Sequence, residues 1–170
     1  MDAFSTLGLP PVYAIDHDAL ERRYRDLQRA LHPDRFTSAP ATERRMALNK
    51  AVEVHEAYRV LRDDLKRAEA LVKLRGDDST SSEVADPELL MTVMELREAL
   101  SEAKAARDIA AVRKLAACVE SDEQHIKARF AAALEDASTT TSALSALLSE
   151  LKYYRRFLDE VAVIEDEELG

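Results

Sequence analysis

The chain of 170 residues is poor in the residues that make tight turns and covalent cross-links. It has three glycines, five prolines, no tryptophan and one cysteine, which excludes an internal disulfide and disfavours a turn-rich β-sheet protein. No apolar run is long enough to span a bilayer, and residues 1–10 do not look like a targeting signal. We therefore expect a soluble, cytoplasmic, all-α protein, with the thiol of Cys118 buried or half-buried among small apolar neighbours.

Charge is distributed unevenly along the chain, whose formal net charge is −9. Residues 1–76 contain 14 Lys and Arg against 12 Asp and Glu, whereas residues 77–170 contain 10 against 21. Nucleic acids and anionic membranes attract basic surfaces, so the acidic second half argues against both as partners. The contrast between the halves instead suggests two different protein partners.

The tripeptide His32-Pro33-Asp34 follows an amphipathic segment that begins with Asp16 as a helix N-cap. Proline lacks an amide donor and clashes with the preceding turn, so the helix must end before Pro33 and the tripeptide is expected in an exposed loop. The helix before it presents one apolar stripe, with side chains spaced four, three and four residues apart: Leu20, Tyr24, Leu27 and Leu31.

A second amphipathic helix is expected from about Thr42 to Arg62. Two apolar stripes joined by a short loop favour an antiparallel hairpin, with the tripeptide at its tip. Arg22, Arg25 and Arg29 recur three and four residues apart on another face of the first helix, which predicts an outward-facing cationic strip.

These features resemble a J-domain, the module with which DnaJ-type co-chaperones stimulate ATP hydrolysis by DnaK-type chaperones. The resemblance is carried by YRDLQRALHPDRF (24–36), EVHEAYRVLRD (53–63) and LKRAEALV (65–72). It implies that Asp34 engages an arginine of the chaperone and that the arginine strip meets an acidic surface there. The implied chaperone-binding residues are Arg22, Tyr24, Arg25, Arg29, His32, Pro33, Asp34 and Arg35. An ordinary turn is the alternative reading of the tripeptide, and scattered histidines make a metal site a weaker one.

The rest of the chain predicts further helices. A short helix is expected over residues 65–75 with Gly76 as a left-handed cap, which completes a domain of residues 1–76. Residues 77–86 are polar, without apolar periodicity, and are expected to form a linker. Helices predicted at about 87–105, 108–135 and 141–165 make residues 87–170 a three-helix bundle.

The helix that begins at Pro87 has two apolar faces. One face is the expected core stripe of Leu89, Val93, Leu96 and Leu100, whereas Met91 and Met94 lie on the opposite side, among glutamates. Flexible apolar side chains beside carboxylates are typical of a protein-binding surface. Packing of the two methionines in a wider core is an equally good reading of the periodicity.

MDAFSTLGLP (1–10), LMTVMELREAL (90–100) and RRFLDE (155–160) resemble the HscB family, the J-type co-chaperones of iron-sulfur cluster assembly. The resemblance implies an adaptor that delivers the scaffold protein IscU to the DnaK-like chaperone HscA and stimulates the HscA ATPase. It favours a bacterial-type member without catalytic residues, cofactor or metal, since the paired-cysteine extension of mitochondrial relatives is missing. The implied scaffold-binding residues are Leu90, Met91, Met94, Glu95, Glu98, Glu102 and Phe157. A J-domain adaptor for another client and a non-catalytic helical scaffold remain as alternatives.

Overall fold

A computed structural model of the chain describes residues 2–76 and 87–169. All regular secondary structure in these ranges is helical, which confirms the expected all-α class. The chain divides into two compact units, Met1–Arg75 and Gly76–Gly170. The linker expected at residues 77–86 lies outside the described residues. None of the described helices combines the length and apolarity needed to cross a membrane.

The first unit contains four α-helices and a 3-10 turn. They are α1 (Ala3–Leu7), α2 (His17–Ala30), the 3-10 turn (Pro33–Phe36), α3 (Ala41–Arg62) and α4 (Asp64–Leu74). The carboxylate of Asp16 accepts hydrogen bonds from the backbone N–H groups of Asp18 and Ala19, as expected of an N-cap. Helices α2 and α3 pack together, which confirms the predicted hairpin.

Helix α1 was not expected from the sequence. Its five residues are too few to show periodicity, yet Phe4 and Leu7 are 1% and 2% exposed and the helix packs on α3. Asp2 caps its start by accepting from the Ser5 N–H at 2.9 Å. Gly8 ends it in a left-handed conformation, with φ of 65°. The N-terminal segment is therefore part of the domain core.

Aromatic stacking aligns α2 with α3. The rings of Tyr24 and Tyr58 lie 4.1 Å apart between centroids and are nearly parallel. The Tyr58 hydroxyl donates a 2.6 Å hydrogen bond to Glu21 Oε1. This bond raises the pKa of Tyr58 and lowers the pKa of Glu21. Stacking and the hydrogen bond together fix how far one helix can slide along the other.

A buried arginine connects the loop before α2 to the junction of α3 and α4. Arg67 is 3% exposed. Its guanidinium donates to the carbonyl oxygens of Tyr13 at 2.8 Å and Leu61 at 2.5 Å, and to the Asp64 carboxylate. It also lies 5.2 Å from the centroid of the Tyr13 ring. One side chain thereby donates to two backbone carbonyl oxygens that would otherwise be buried without a hydrogen-bond donor.

Replacing Arg67 with Met should lower the free energy of unfolding by about 3 kcal/mol, because two buried carbonyl oxygens lose their donor and the Asp64 carboxylate loses one cationic partner. Urea denaturation followed by circular dichroism would measure the loss. The control is Arg59→Met, which breaks an exposed 3.3 Å pair with Glu56 and should cost less than about 1 kcal/mol. Equal losses in the two variants would refute the structural role of Arg67.

The second unit contains α5 (Pro87–Ala105), α6 (Ile109–Glu135) and α7 (Thr141–Leu169), the expected three helices. Its core includes the fully buried side chains of Val112, Val119, Phe130 and Leu144. Helix α7 continues four residues beyond the predicted end. Glu165 accepts from Arg113 of α6 at 2.8 Å, and Glu167 pairs with Lys104 of α5 at 3.0 Å. Ion pairs therefore connect the acidic end of α7 to both neighbouring helices.

A buried tyrosine makes the second unit sensitive to high pH. Tyr154 is 6% exposed, and its hydroxyl donates to Glu150 Oε1 at 3.3 Å. Burial, with the nearby carboxylates of Glu150 and Asp122, raises the pKa of Tyr154 to about 12. An unfolded tyrosine has a pKa of about 10. The neutral phenol is therefore favoured by folding.

This stabilisation is complete below about pH 10 and should disappear as the pH rises towards 12, a loss on the order of 2–3 kcal/mol. Tyr154→Phe removes the ionisable group, so the free energy of unfolding should decline less steeply across this range. Urea titrations at several alkaline pH values would test it. A decline of the same size in both chains would show that other groups set the alkaline limit.

Candidate protein-binding surfaces

The tip of the α2–α3 hairpin carries the tripeptide. Leu31 ends α2, His32 caps the 3-10 turn, and Pro33 is its first residue. The expected loop is therefore a short 3-10 helix, because proline with its fixed φ suits a first helical position. The Asp34 side chain is 86% exposed, as the sequence required.

The backbone at the tip is held by His32. The Asp34 N–H donates to His32 Nδ1 at 3.3 Å, and the Arg35 N–H donates to the His32 carbonyl at 3.0 Å. His32 Nδ1 also lies 3.5 Å from Asp34 Oδ2. While Nδ1 accepts from the backbone it has no proton to give the carboxylate, so this second contact is not a hydrogen bond. The Asp34 carboxylate is left available to a partner.

The arginine strip is less positive than expected. Each predicted member has a carboxylate nearby: Arg22 with Asp16 at 3.8 Å, Arg25 with Glu21 at 3.3 Å and Arg29 with Asp26 at 3.4 Å. The three arginine side chains are 67–76% exposed. Exposed pairs of this kind contribute less than about 1 kcal/mol, so the guanidinium groups can transfer to a partner's carboxylates at little cost.

Two of these arginines share a surface with the tip. Arg25 and Arg29 line an open groove with His32 and Pro33, closed on the α3 side by Ala51. Arg22 does not line this groove, and Arg35 is exposed on the 3-10 turn.

Tyr24 is half-buried in the helix pair. Its hydroxyl accepts from Gln28 Nε2 at 2.6 Å and contacts His55 Nδ1 at 3.0 Å. Gln28, His55 and Ala51 were not predicted as residues of this site. Gln28 is four residues after Tyr24, and that helical spacing was the available signal.

Helix α5 presents the second predicted surface. Leu90, Met91 and Met94 are 46%, 64% and 64% exposed, which decides against the alternative that the methionines pack in a core. Glu95, Glu98 and Glu102 are exposed on the same side. Six of the seven predicted scaffold-binding residues therefore form one face with apolar and acidic side chains.

Phe157 and Cys118 do not lie where the sequence placed them. Phe157 is 7% exposed and lies with Val93 and Leu96, on the inner side of α5, so it does not join the exposed face. Cys118 is exposed rather than buried. Its neighbour Val119 takes the core position, and adjacent residues on a helix point about 100° apart.

Comparisons with known proteins agree with the division of the chain into two units. Residues 2–70 match the model of the DnaJ domain, and residues 85–162 match that of the HSCB C-terminal oligomerisation domain. The co-chaperone protein HscB homolog of Burkholderia cenocepacia is 37% identical over 160 residues, which cover 93% of this chain and 90% of that protein. The chain belongs to the HscB family. It is thus a J-domain co-chaperone, and the tip described above is that of its DnaJ domain.

Solved HscB structures have the same architecture. Chaperone HscB from Vibrio cholerae, 34% identical, superimposes with a TM-score of 0.83 over 98% of this chain and 99% of that one. Human co-chaperone protein HscB gives a TM-score of 0.88 over 97% of this chain and 82% of that one. The human protein is 24% identical, so that likeness supports the fold alone.

Proposed function

We propose that this HscB-family protein brings the iron-sulfur scaffold protein IscU to the DnaK-like chaperone HscA and stimulates the HscA ATPase, which promotes maturation of iron-sulfur proteins. The observation that carries the proposal is the 86% exposed carboxylate of Asp34 at the end of a packed helical hairpin. A separate acidic and apolar face in the second unit supports a second protein partner. The protein acts by binding and supplies no catalytic group of its own.

Asp34 makes the decisive contact with the chaperone. An arginine of HscA donates to its carboxylate, and a charge-assisted bond of this kind is stronger than a neutral one. Pro33 fixes the backbone of the turn, and His32 holds the Asp34 amide through Nδ1. Because the contact is made in the hydrolysing state of the chaperone, it shifts the population towards that state. ATP and magnesium belong to HscA.

Arg25 and Arg29 support the encounter. They lie on the groove beside the tip, where an acidic chaperone surface would replace their local carboxylate partners. Long-range attraction of this kind raises the association rate more than the final affinity, and salt weakens it.

The α5 face holds the scaffold. Methionine side chains adapt to an irregular apolar surface, while Glu95, Glu98 and Glu102 attract basic groups around it. Phe157, buried beneath this helix, supports the face from inside and does not contact the partner.

Replacing Asp34 with Asn should reduce stimulation of HscA ATP hydrolysis at least tenfold, because the amide keeps the shape and removes the charge. His32→Gln should reduce it in the same direction by loosening the turn. The measurement is steady-state phosphate release by HscA with each variant, with circular dichroism to verify helicity. Asp159→Asn, an exposed carboxylate of α7, is the matched control and should stimulate normally. Full stimulation by a folded Asp34→Asn chain would rule out the mechanism.

Replacing Met91 and Met94 together with alanine should weaken IscU binding by about 2–4 kcal/mol, roughly 30- to 1000-fold, if both are anchors. Isothermal titration calorimetry with purified IscU gives the affinity. Met46 of α3 is 70% exposed, so Met46→Ala is the matched control and should bind normally. Unchanged affinity in the double variant would move the interface elsewhere. A chain that stimulates HscA but binds no IscU would instead favour an adaptor for a different client.

A further inference from the structure

Three of the four methionines of the chain have exposed side chains. Met91 and Met94 of α5 are each 64% exposed, and Met46 of α3 is 70% exposed. Methionine is among the residue types most often buried in folded proteins, so two exposed methionines within one turn of a helix are unusual. The thioether sulfur of an exposed methionine is open to oxidation by peroxide. The α5 face therefore contains two oxidisable side chains within one turn.

Neither methionine of α5 contributes to the core of the second unit. The inner side of the helix is formed by other residues: Leu100 and Ala103 are buried, and Val93 and Leu96 line a small cavity with Phe157. A polar group introduced at an exposed sulfur is solvated by water, so it does not carry the cost of burying a polar group. Oxidation of these two side chains should therefore change the surface of the unit and leave its fold intact.

Each of these methionines has a glutamate four residues later on the same side of the helix. Glu95 follows Met91 and Glu98 follows Met94, and both glutamates are exposed. Side chains at this spacing are neighbours. A sulfoxide replaces the apolar sulfur with a polar S=O group, so the oxidised face would keep its acidic groups and lose its apolar ones. A partner that needs both kinds of contact would no longer be held.

We propose that Met91 and Met94 form an oxidation switch that closes the scaffold-binding face in the presence of hydrogen peroxide. The inference rests on the proposed function, because it assigns regulation to that face. Each thioether sulfur donates an electron pair to one oxygen of the peroxide; the O–O bond breaks, the sulfoxide forms, and the other oxygen leaves as water. Reduction by two thiols returns the thioether, releases the oxygen as water and joins the thiols in a disulfide. The switch is therefore reversible by methionine sulfoxide reductases.

Calorimetry of IscU binding before and after oxidation tests the proposal. Cys118 is also exposed, so Cys118→Ser in the otherwise unchanged chain removes the thiol from the reaction. Hydrogen peroxide should add about 16 Da at each exposed methionine, located by peptide mass spectrometry, and weaken IscU binding by about 30-fold or more. Treatment with methionine sulfoxide reductases should restore the affinity. Undiminished affinity of a chain that carries sulfoxides at Met91 and Met94 would overturn the inference.

Two reciprocal variants show which methionines are responsible. Met91→Leu with Met94→Leu conserves volume and removes both sulfurs, so IscU binding should resist peroxide even though Met46 is oxidised. Met46→Leu keeps the switch, so peroxide should weaken IscU binding as in the parent chain. Circular dichroism verifies the helicity of each chain before and after treatment. A peroxide effect that persists in the Met91→Leu, Met94→Leu chain, or that disappears in the Met46→Leu chain, would contradict the assignment.

The proposed function can be judged separately. The tip contains no methionine or cysteine, so the oxidised chain, measured without IscU, should stimulate HscA ATP hydrolysis like the untreated chain. Impaired stimulation would mean that oxidation acts beyond the α5 face, against the inference. If the untreated chain binds IscU and oxidation does not weaken this binding, the inference fails and the proposed function stands. If the untreated chain does not bind IscU, the scaffold part of the proposed function fails, and the inference fails with it.

Discussion

The packing of α2 against α3 determines where Asp34 lies. The Tyr24 and Tyr58 rings stack at 4.1 Å, and the Tyr58 hydroxyl bonds to Glu21 at 2.6 Å, so neither helix can slide by a turn without losing both contacts. Pro33 ends α2 at a fixed distance from this stack. The exposure of the carboxylate is thus set by aromatic contacts two to three turns away, and not by the tip alone.

Local signals predicted most of the helix starts. Asp16 and Asp108 cap α2 and α6 by accepting from backbone amides, and Pro87 begins α5, because these effects depend on neighbours within one turn. Contacts between residues that are distant in the sequence were not predicted. Helix α1 is stabilised by burial against α3, and the end of α7 forms ion pairs with Lys104 and Arg113. The buried Arg67 serves acceptors up to 54 residues away, which no local pattern indicates.

The candidate sites show the same contrast between what local signals predict and what they do not. The exposed tip follows from proline chemistry. Helical periodicity left the second face of α5 open between core packing and a partner surface, and its six predicted residues were implied by the resemblance to the HscB family. Cys118 was misplaced because a residue adjacent to the core stripe can lie on either side of its boundary. Phe157 was implied by the resemblance, which does not show whether a side chain is buried. The local partners of the arginine strip were predictable, since Glu21 and Arg25 are four residues apart and Asp26 and Arg29 are three apart.

The local ion pairs of the arginine strip affect how readily a co-chaperone can bind and release its partner repeatedly. An arginine held by an exposed carboxylate is already charged, partly ordered and at most weakly stabilised. In the proposed encounter, exchanging that carboxylate for one on the chaperone would change the free energy of this chain little, so the partner's conformation would decide between the bound and the free state. Met91 and Met94 are likewise already exposed, so binding at the proposed scaffold face would need no rearrangement of these side chains. Both surfaces therefore favour contacts that form quickly, respond to salt and release when the partner changes state.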